Sequence, residues 1–477
     1  MAIETHRPRI PLWWALLISL PWFVGNWQEM VSAQPLTFTV SRFISNPIAI
    51  TSIWSLNLLF NFMVGIFASY FSDRIWTRLG RRRPFLITSF FLSGIALVLI
   101  PLMPNIWLLV GAIVFYQFTV DLGKPWEPLF NEVVPPTQRG AAQTFRMIMN
   151  TVTQMFFTGV LLANWDNRLF EPLPGVRLPL NGEEVLYWTC AAAMFACSAF
   201  LVFFVRETPP PVAPVVEAFS PIRMFKDIFA ERRALLVYML YLCPLIATAG
   251  TGALIPLLRR DQFGFTMRQI GSAEAISALA VTLVVLPVLG YLADRMPRMW
   301  LFRIGIIVPA LVNAACFFVA PRVVPGFVMG FTAFAVIITL AAIFQNCLWM
   351  VWGPLVYDYI PSNRMGTYAS GFSFASVVSF VLVNLGGIWV KLFTGWFGSG
   401  PYVTPPSATE TAARTDYSSL YLLNLLFSAI ALGLTFVFAH AERRGAILPE
   451  GRIELQREEE LARAAHAGPA EPPDRTG

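Results

Sequence analysis

The chain has 477 residues, of which 56% are hydrophobic and only 13% charged, with a mean hydropathy of +0.61 and a net charge of +6. A soluble protein carries about twice that charged fraction, so the composition excludes a water-soluble domain and indicates a membrane protein. The basic residues sit in short loops between apolar runs, so the positive charge does not mark a nucleic-acid partner.

Twelve apolar runs follow in chain order, each near the ~20 residues that a helix needs to cross a bilayer. They cover 11–33, 48–71, 84–103, 106–130, 141–164 and 184–205, then 233–257, 268–292, 300–320, 326–352, 366–393 and 418–440. The first run is too long for a signal-peptide core and has no small-residue cleavage site, so it reads as a membrane helix entering from the cytoplasm. The second and third runs flank SDRIWTRLGRRRPF (Ser72–Phe85), which holds five arginines. A charge at the bilayer centre costs at least ~2.5–3.5 kcal/mol. This segment is therefore a loop, and its arginine excess assigns it to the cytoplasm. Even parity then places both termini in the cytoplasm of a multi-pass protein of the cytoplasmic (inner) membrane, with the loops near 164–184 and 396–418 facing outward.

The chain repeats itself. Asp73-Arg74 after the second run corresponds to Asp294-Arg295 after the eighth, in GYLADRMPRM (Gly290–Met299). PLFNEVVPPTQRG (Pro128–Gly140) aligns with PLVYDYIPSNRMG (Pro354–Gly366) at nearly the same offset. The expected organisation is an N-terminal six-helix half (1–205), a Pro-rich charged cytoplasmic linker (206–233), a C-terminal six-helix half (234–440) and a partly disordered cytoplasmic tail (441–477).

These residues carry a resemblance. The chain resembles the major facilitator superfamily, and within it the glycoside–pentoside–hexuronide:cation symporters and the related sucrose:proton symporters. The Ser72–Phe85 loop is similar to their D-x-x-(S/T)-R-x-G-(R/K)-x-(R/K)-P signature, PWEPLFNEVV (Pro125–Val134) to their fourth-helix pattern, and Tyr357–Tyr359 to the end of their tenth helix. Glu29, six residues before Pro35, is similar to a first-helix pattern of the sucrose type. The resemblance implies an all-α membrane protein of twelve helices that carries a sugar or glycoside by alternating access, driven by protons and acting as a monomer. A carrier of a different solute, an exporter and a non-transporting carrier-like protein share the same fold and stay open as alternatives.

Ionisable residues inside membrane helices are the candidates for function. Asp121, Lys124 and Glu127 follow one another at three-residue spacing and share one broad face of the fourth helix. Asp121 lies roughly 24 Å from that helix's outer end, and Arg146 lies roughly 8 Å into the returning fifth helix, at matching depth. The resemblance implies that both positions bind sugar. The same charges also fit a ladder that locks the two helices together, or charge at headgroup level. Trp126, Asn26 and Glu29 are further candidate contacts from the first half, with Trp27 and Gln28 completing on the first helix an aromatic and polar run that suits a sugar site, and Gln345 and Trp349 are candidates from the second. Glu29 also fits a residue facing periplasmic water, and Glu274 one facing the outer vestibule. Asn313 and Asn384 fit interhelical hydrogen bonds.

The three histidines, His6, His440 and His466, lie in the tails or at the end of the last run. Proton coupling would have to use a buried carboxylate, with Asp121, Glu127 and Glu29 as candidates. The five cysteines all lie in apolar runs without metal-ligand spacing, so no metal or other cofactor is expected. No nucleophile–base pair is evident, so an enzyme is not expected. The resemblance gives the arginine loop a different role, that of a conformational latch made of Asp73, Arg74, Gly80, Arg81, Arg82 and Arg83, echoed by Asp294 and Arg295.

The sequence departs from sodium-coupled members at the second helix, where Asn61 and Gly65 stand in place of two carboxylates. A hard cation prefers several oxygen ligands. Uptake by the purified carrier in vesicles is therefore expected to be independent of sodium at fixed pH. A strong, saturable sodium stimulation would contradict this.

Overall fold

The structure, a computed structural model, describes residues 20–126, 129, 139–170, 180–205, 207, 232–249, 252–285, 288, 296–319, 330–357, 359, 365–398 and 415–447. They form a bundle of helices whose ends match the apolar runs closely. In the N-terminal set, α1 is Leu20–Ala33 and α2 is Pro35–Ser41. They are followed by α3 (Pro47–Arg74), α4 (Arg83–Leu99), α5 (Ile106–Asp121), α6 (Arg139–Phe156) and α7 (Gly182–Phe203). The C-terminal set comprises α8 (Arg232–Ala249), the short α9 (Ile255–Leu257), α10 (Met267–Ala280), α11 (Arg298–Val319), α12 (Phe331–Tyr357), α13 (Met365–Phe397) and α14 (Ser419–Arg443). A two-stranded antiparallel ribbon, β1 (Arg168–Phe170) and β2 (Leu180–Asn181), interrupts the loop before α7.

Local chemistry sets the helix starts. Asn46 accepts the Ile48 amide (3.1 Å) ahead of Pro47 in α3, and Asn105 accepts the Leu108 amide (3.0 Å) in α5. Glu184 accepts the Asn181 amide (2.7 Å) in α7, and Gln269 and Thr266 cap α10 reciprocally. All four starts lie on the face of the bundle opposite the arginine loop, called here the far side.

Among the described residues, seven helices are long and apolar enough to cross a membrane: α3, α4, α7, α11, α12, α13 and α14. Other expected spans are built from pieces. The first run was expected to end at 33, but the chain stays helical to Ser41 after a break at Pro35. The sixth helix α6 passes into a π turn at Phe157–Leu161, α9 into a second at Leu258–Gln262, and α10 into a third at Val281–Val285.

Within the N-terminal set α4 packs on α7, α1 on α6 and α3 on α5; within the C-terminal set α11 packs on α12 and α14, and α8 on α14. Two seams join the sets, α3 against α13 and α6 against α10. One buried cluster runs through the N-terminal helices and takes in Leu254, Leu257, Phe265, Ile270, Phe334 and Tyr421 from the other set. A separate cluster, including Val237, Phe302, Val351, Leu355 and Phe438, belongs to the C-terminal helices alone. The shared cluster holds the far-side ends of the C-terminal helices. The two sets are therefore packed into one core on the far side.

Close backbone approach makes the α3–α13 seam. A Cβ on Gly387 would run into the Thr51 hydroxyl and lie 2.9 Å from the Pro47 carbonyl oxygen. Overpacking of this kind costs about 1–3 kcal/mol. Gly387→Leu is expected to lower the apparent melting temperature of the purified protein, while Gly395→Leu, whose Cβ would meet nothing within 4 Å, leaves it nearly unchanged. Equal melting of the two variants would show that the seam does not depend on this contact.

Candidate functional site

Asp121 closes α5 and is 1% exposed. Lys124 Nζ lies 3.5 Å from its Oδ1, and neither carboxylate oxygen accepts a hydrogen bond among the described residues. Glu29 is a further charged group that acts electrostatically on it. The Lys124 stem crosses to α3, where its Cγ lies 3.2 Å from the place a Cβ on Gly65 would take. At Gly65, where sodium coupling was expected to need a carboxylate, the structure thus places a glycine with the Lys124 side chain over it. Trp126 is buried in the N-terminal core. Arg146 belongs to α6, but its side chain lies outside the described residues, as does Glu127.

On α1 the expected contacts divide. Trp27 is buried, donates to the Thr153 carbonyl (3.3 Å) and stacks on Phe156. Gln28 is buried and donates to Ser93 (3.1 Å). Both tie α1 to its neighbours. Asn26, half-buried, donates to the Met30 sulfur (3.8 Å), and Glu29 is exposed.

The central cavity, about 410 Å³, lies between the two helix sets. From the N-terminal set it is lined by Met30, Ala33 and Gln34 of the α1 segment and by Gln154 and Phe157. The remaining wall comes from the C-terminal set. Of the residues expected from the sequence to contact substrate, Gln345 lines it; Asn26 and Glu29 lie one helical turn from its lining residues Met30 and Ala33. Trp349, one turn beyond Gln345, is exposed and meets Trp352 edge-on. Asn313 donates to Asn424 (2.7 Å), which donates to the Ala247 carbonyl (2.7 Å), and Asn384 bonds Ser52 and Ser55 across the α3–α13 seam. Interhelical bonding is thus the observed role of both Asn313 and Asn384.

Sequence reasoning missed the cavity's far-side end. Glu274, expected to face a vestibule, is buried in the cavity wall. It accepts from Gln34 Nε2 (2.8 and 3.0 Å) and from Arg259 Nη1 (2.6 Å). Gln34 belongs to the N-terminal set and the other two to the C-terminal set, so this cluster bridges them. Beyond it Thr37 donates to the Ala253 carbonyl (3.3 Å), and Arg260 donates to Ser41 (3.3 Å) and lies over Phe38. Arg42 pairs with Glu183, which also accepts from Thr39 (2.7 Å). The bonds of Gln34, Thr37 and Arg260 tie the two sets together on the far side.

The arginine loop is a second candidate site. Thr77 and Gly80 exchange backbone hydrogen bonds (2.9 and 3.1 Å), and Gly80 turns the chain at φ 109°. The next three amides, of Arg81, Arg82 and Arg83, all donate to the Glu207 carboxylate at 2.8, 3.1 and 2.7 Å. That carboxylate sits at the N-terminus of α4, where it meets unsatisfied N–H groups and the positive end of the helix dipole. The Arg83 guanidinium in turn donates to the Leu201 carbonyl (3.1 and 2.7 Å) and the Val202 carbonyl (2.8 Å) at the end of α7. The expected brace was Asp73. Its side chain and that of Arg74 lie outside the described residues, as do Asp294 and Arg295. Glu207, assigned by sequence to the linker, is the carboxylate observed on the loop. A carboxylate directly after the sixth apolar run, in RETPP, was its signal.

Residues 12–384 match the family model of the Major Facilitator Superfamily. The chain belongs to this superfamily. It is a multi-pass membrane protein, and its architecture is the major facilitator fold expected from the sequence. It is 30% identical over 152 residues to "Sugar transport protein 2" of Arabidopsis thaliana, covering 31% of this chain and 27% of that protein. It is 26% identical over 274 residues to "Multidrug resistance protein MdtG" of Proteus mirabilis (strain HI4320), covering 55% of this chain and 61% of that one. Both matches span less than two thirds of those relatives. A crystal structure of a D-xylose-proton symporter superposes with a TM-score of 0.64 at 14% identity, covering 89% of this chain and 97% of that one. A POT family transporter in complex with 5-aminolevulinic acid gives the same TM-score and identity over 90% and 96%. At such identities the likeness is one of fold.

Gly80 cannot be replaced cheaply, because its φ is left-handed and a Cβ there would lie 2.8 Å from the Glu207 carboxyl carbon. Gly80→Ala is expected to destabilise the protein by about 1–3 kcal/mol, and Glu207→Ala by a similar amount. In the double variant the two losses should fall short of additivity, since one contact is removed twice. Additive losses, measured by thermal unfolding, would show that the two residues act separately.

Proposed function

We propose that this chain is a proton-coupled transporter of a neutral sugar or glycoside, working by alternating access in a cytoplasmic membrane with both termini and the arginine loop in the cytoplasm. On that orientation the far side is the outer side, and the structure is a state with its outer side closed. The observation that carries the reading is the cavity wall. Amides and hydroxyls from Gln34, Gln154, Asn313, Gln345, Asn424 and Tyr421 face a space whose two charges among the described residues, Arg259 and Glu274, neutralise each other. Such a wall offers many hydrogen bonds and no net charge, which suits a neutral polyhydroxylated solute. Asp121, buried and without a hydrogen-bond partner among the described residues, suits a site that gains and loses a proton. Arg146, Trp126, Lys124, Asn26, Glu29 and Trp349 remain proposed contacts from the approach on the arginine side, and Glu127 and Glu29 alternative proton sites. The resemblance to the glycoside and sucrose symporters supports the same substrate class.

The similarity to a multidrug resistance protein over 55% of the chain favours a second reading, export of another small solute. Uptake of labelled mono- and disaccharides into vesicles, with and without an imposed pH gradient, separates the two. Accumulation that follows the proton gradient is expected.

Asp121→Asn is expected to abolish gradient-driven accumulation while exchange of labelled for unlabelled sugar persists, because exchange needs binding and alternation but no net proton transfer. Undiminished accumulation by the variant would remove Asp121 from the coupling machinery.

A further inference from the structure

The outer end of the cavity is organised around one carboxylate. Glu274 Oε1 accepts from Arg259 Nη1 at 2.6 Å and from Gln34 Nε2 at 2.8 Å, and Oε2 accepts from the same Gln34 nitrogen at 3.0 Å. Arg259 rides on the π turn at Leu258–Gln262, and its guanidinium carbon lies 5.8 Å from the centroid of the Phe334 ring. Gln34, Arg259, Glu274 and Phe334 all line the cavity.

Two features of Gln34 set this cluster apart from a simple clamp. Its Oε1 is buried and accepts no hydrogen bond among the described residues, a costly state for an amide oxygen. Its single nitrogen spans both carboxylate oxygens. Two neighbouring hydroxyls would give each oxygen its own donor. The amide is therefore an imperfect occupant of a position shaped for a pair of donors.

We propose that Glu274 and Arg259 form the outer subsite for a neutral polyhydroxylated solute, and that Gln34 fills this subsite in the empty carrier in place of two vicinal hydroxyls. The inference rests on the sugar reading above and adds to it a site and a mechanism of entry. The diol donates to Glu274, Arg259 donates to a ring or hydroxyl oxygen, and the Phe334 ring offers an apolar face to the C–H face of the sugar. The pair has no net charge with which to draw an ionic solute. Gln34 sits in the turn between α1 and α2. Its displacement frees the N-terminal set from α10 there, so the solute and the outer closure compete for one acceptor. A ligand that binds the open state better shifts the population toward it.

The test uses full-length protein in lipid nanodiscs and measures binding of D-glucose, D-xylose, maltose and sucrose to the wild type, Gln34→Ala and Glu274→Gln. A sugar that binds the wild type is expected to bind Gln34→Ala several-fold more tightly, because the internal competitor is gone. It is expected to bind Glu274→Gln at least tenfold more weakly, because a charged acceptor is lost. A clamp that takes no part in binding predicts shifts of the same sign, since either substitution releases the same bridge; that outcome overturns the inference while leaving the sugar reading intact. If none of the four sugars binds the wild type, the sugar reading falls and the inference with it. Should Glu274→Gln fail to elute as a monodisperse species, Glu274→Asp carries the test. Its shorter carboxylate is expected to weaken binding several-fold, and unchanged affinity overturns the inference.

Discussion

Inside a bilayer no water competes for a hydrogen bond, so a polar side chain there must be answered by another part of the chain. Much of this structure follows from that constraint. Ser93 takes a bond from Gln28 and shares one with Thr119, Tyr116 donates to the Gln28 carbonyl, and Gln117 donates to Ser32. Each such bond contributes only about 0.6 kcal/mol on average. Their effect is to fix which helix faces lie together rather than to supply most of the stability. Where polar groups are answered across the two helix sets, as at Gln34, Thr37 and Ser41, they tie the sets together on the far side. Asp121 is the contrast, a buried carboxylate with an ion-pair partner at 3.5 Å and no hydrogen bond among the described residues.

The helix ends were legible because they obey local rules. Asn46, Asn105, Asn181 and Thr266 stand where apolar runs begin, and hydropathy alone sets the lengths of α4, α7, α11 and α14 to within a few residues. Failure came at α2. Thr37, Thr39 and Ser41 make the segment look like an outer loop, yet Thr37 and Thr39 are buried, with partners in the turn before α9 and on α7. A hydropathy reading cannot see a partner that lies 144 or 216 residues away.

The site was legible in part for a related reason. Asp121 stands out in sequence, because a carboxylate so deep in an apolar run calls for a partner, and the structure finds it buried beside Lys124. Arg259 and Glu274 hide in plain view: charges near helix ends are expected at a membrane surface, and nothing local says that these two turn inward to meet Gln34. Trp27 and Gln28 misled in the opposite direction. Their composition suits a sugar site, but their donors go to Thr153 and Ser93. Glu207 was absorbed into the linker, although the three consecutive amides of the arginine loop needed an acceptor.

The π turns have a consequence for how the chain can change over generations. A π turn closes its hydrogen bonds one residue later than an α-helix and occurs frequently at functional sites. In an unbroken helix, losing one residue rotates everything downstream by about 100°. At 157–161 or 258–262, the same deletion can relax the wide turn to an ordinary one and leave the chain beyond it facing as before. Those segments are the places in the bundle where the gene can gain or lose a codon without scrambling the walls of the cavity. Arg259, carried on one of them, can be re-aimed by a single such event.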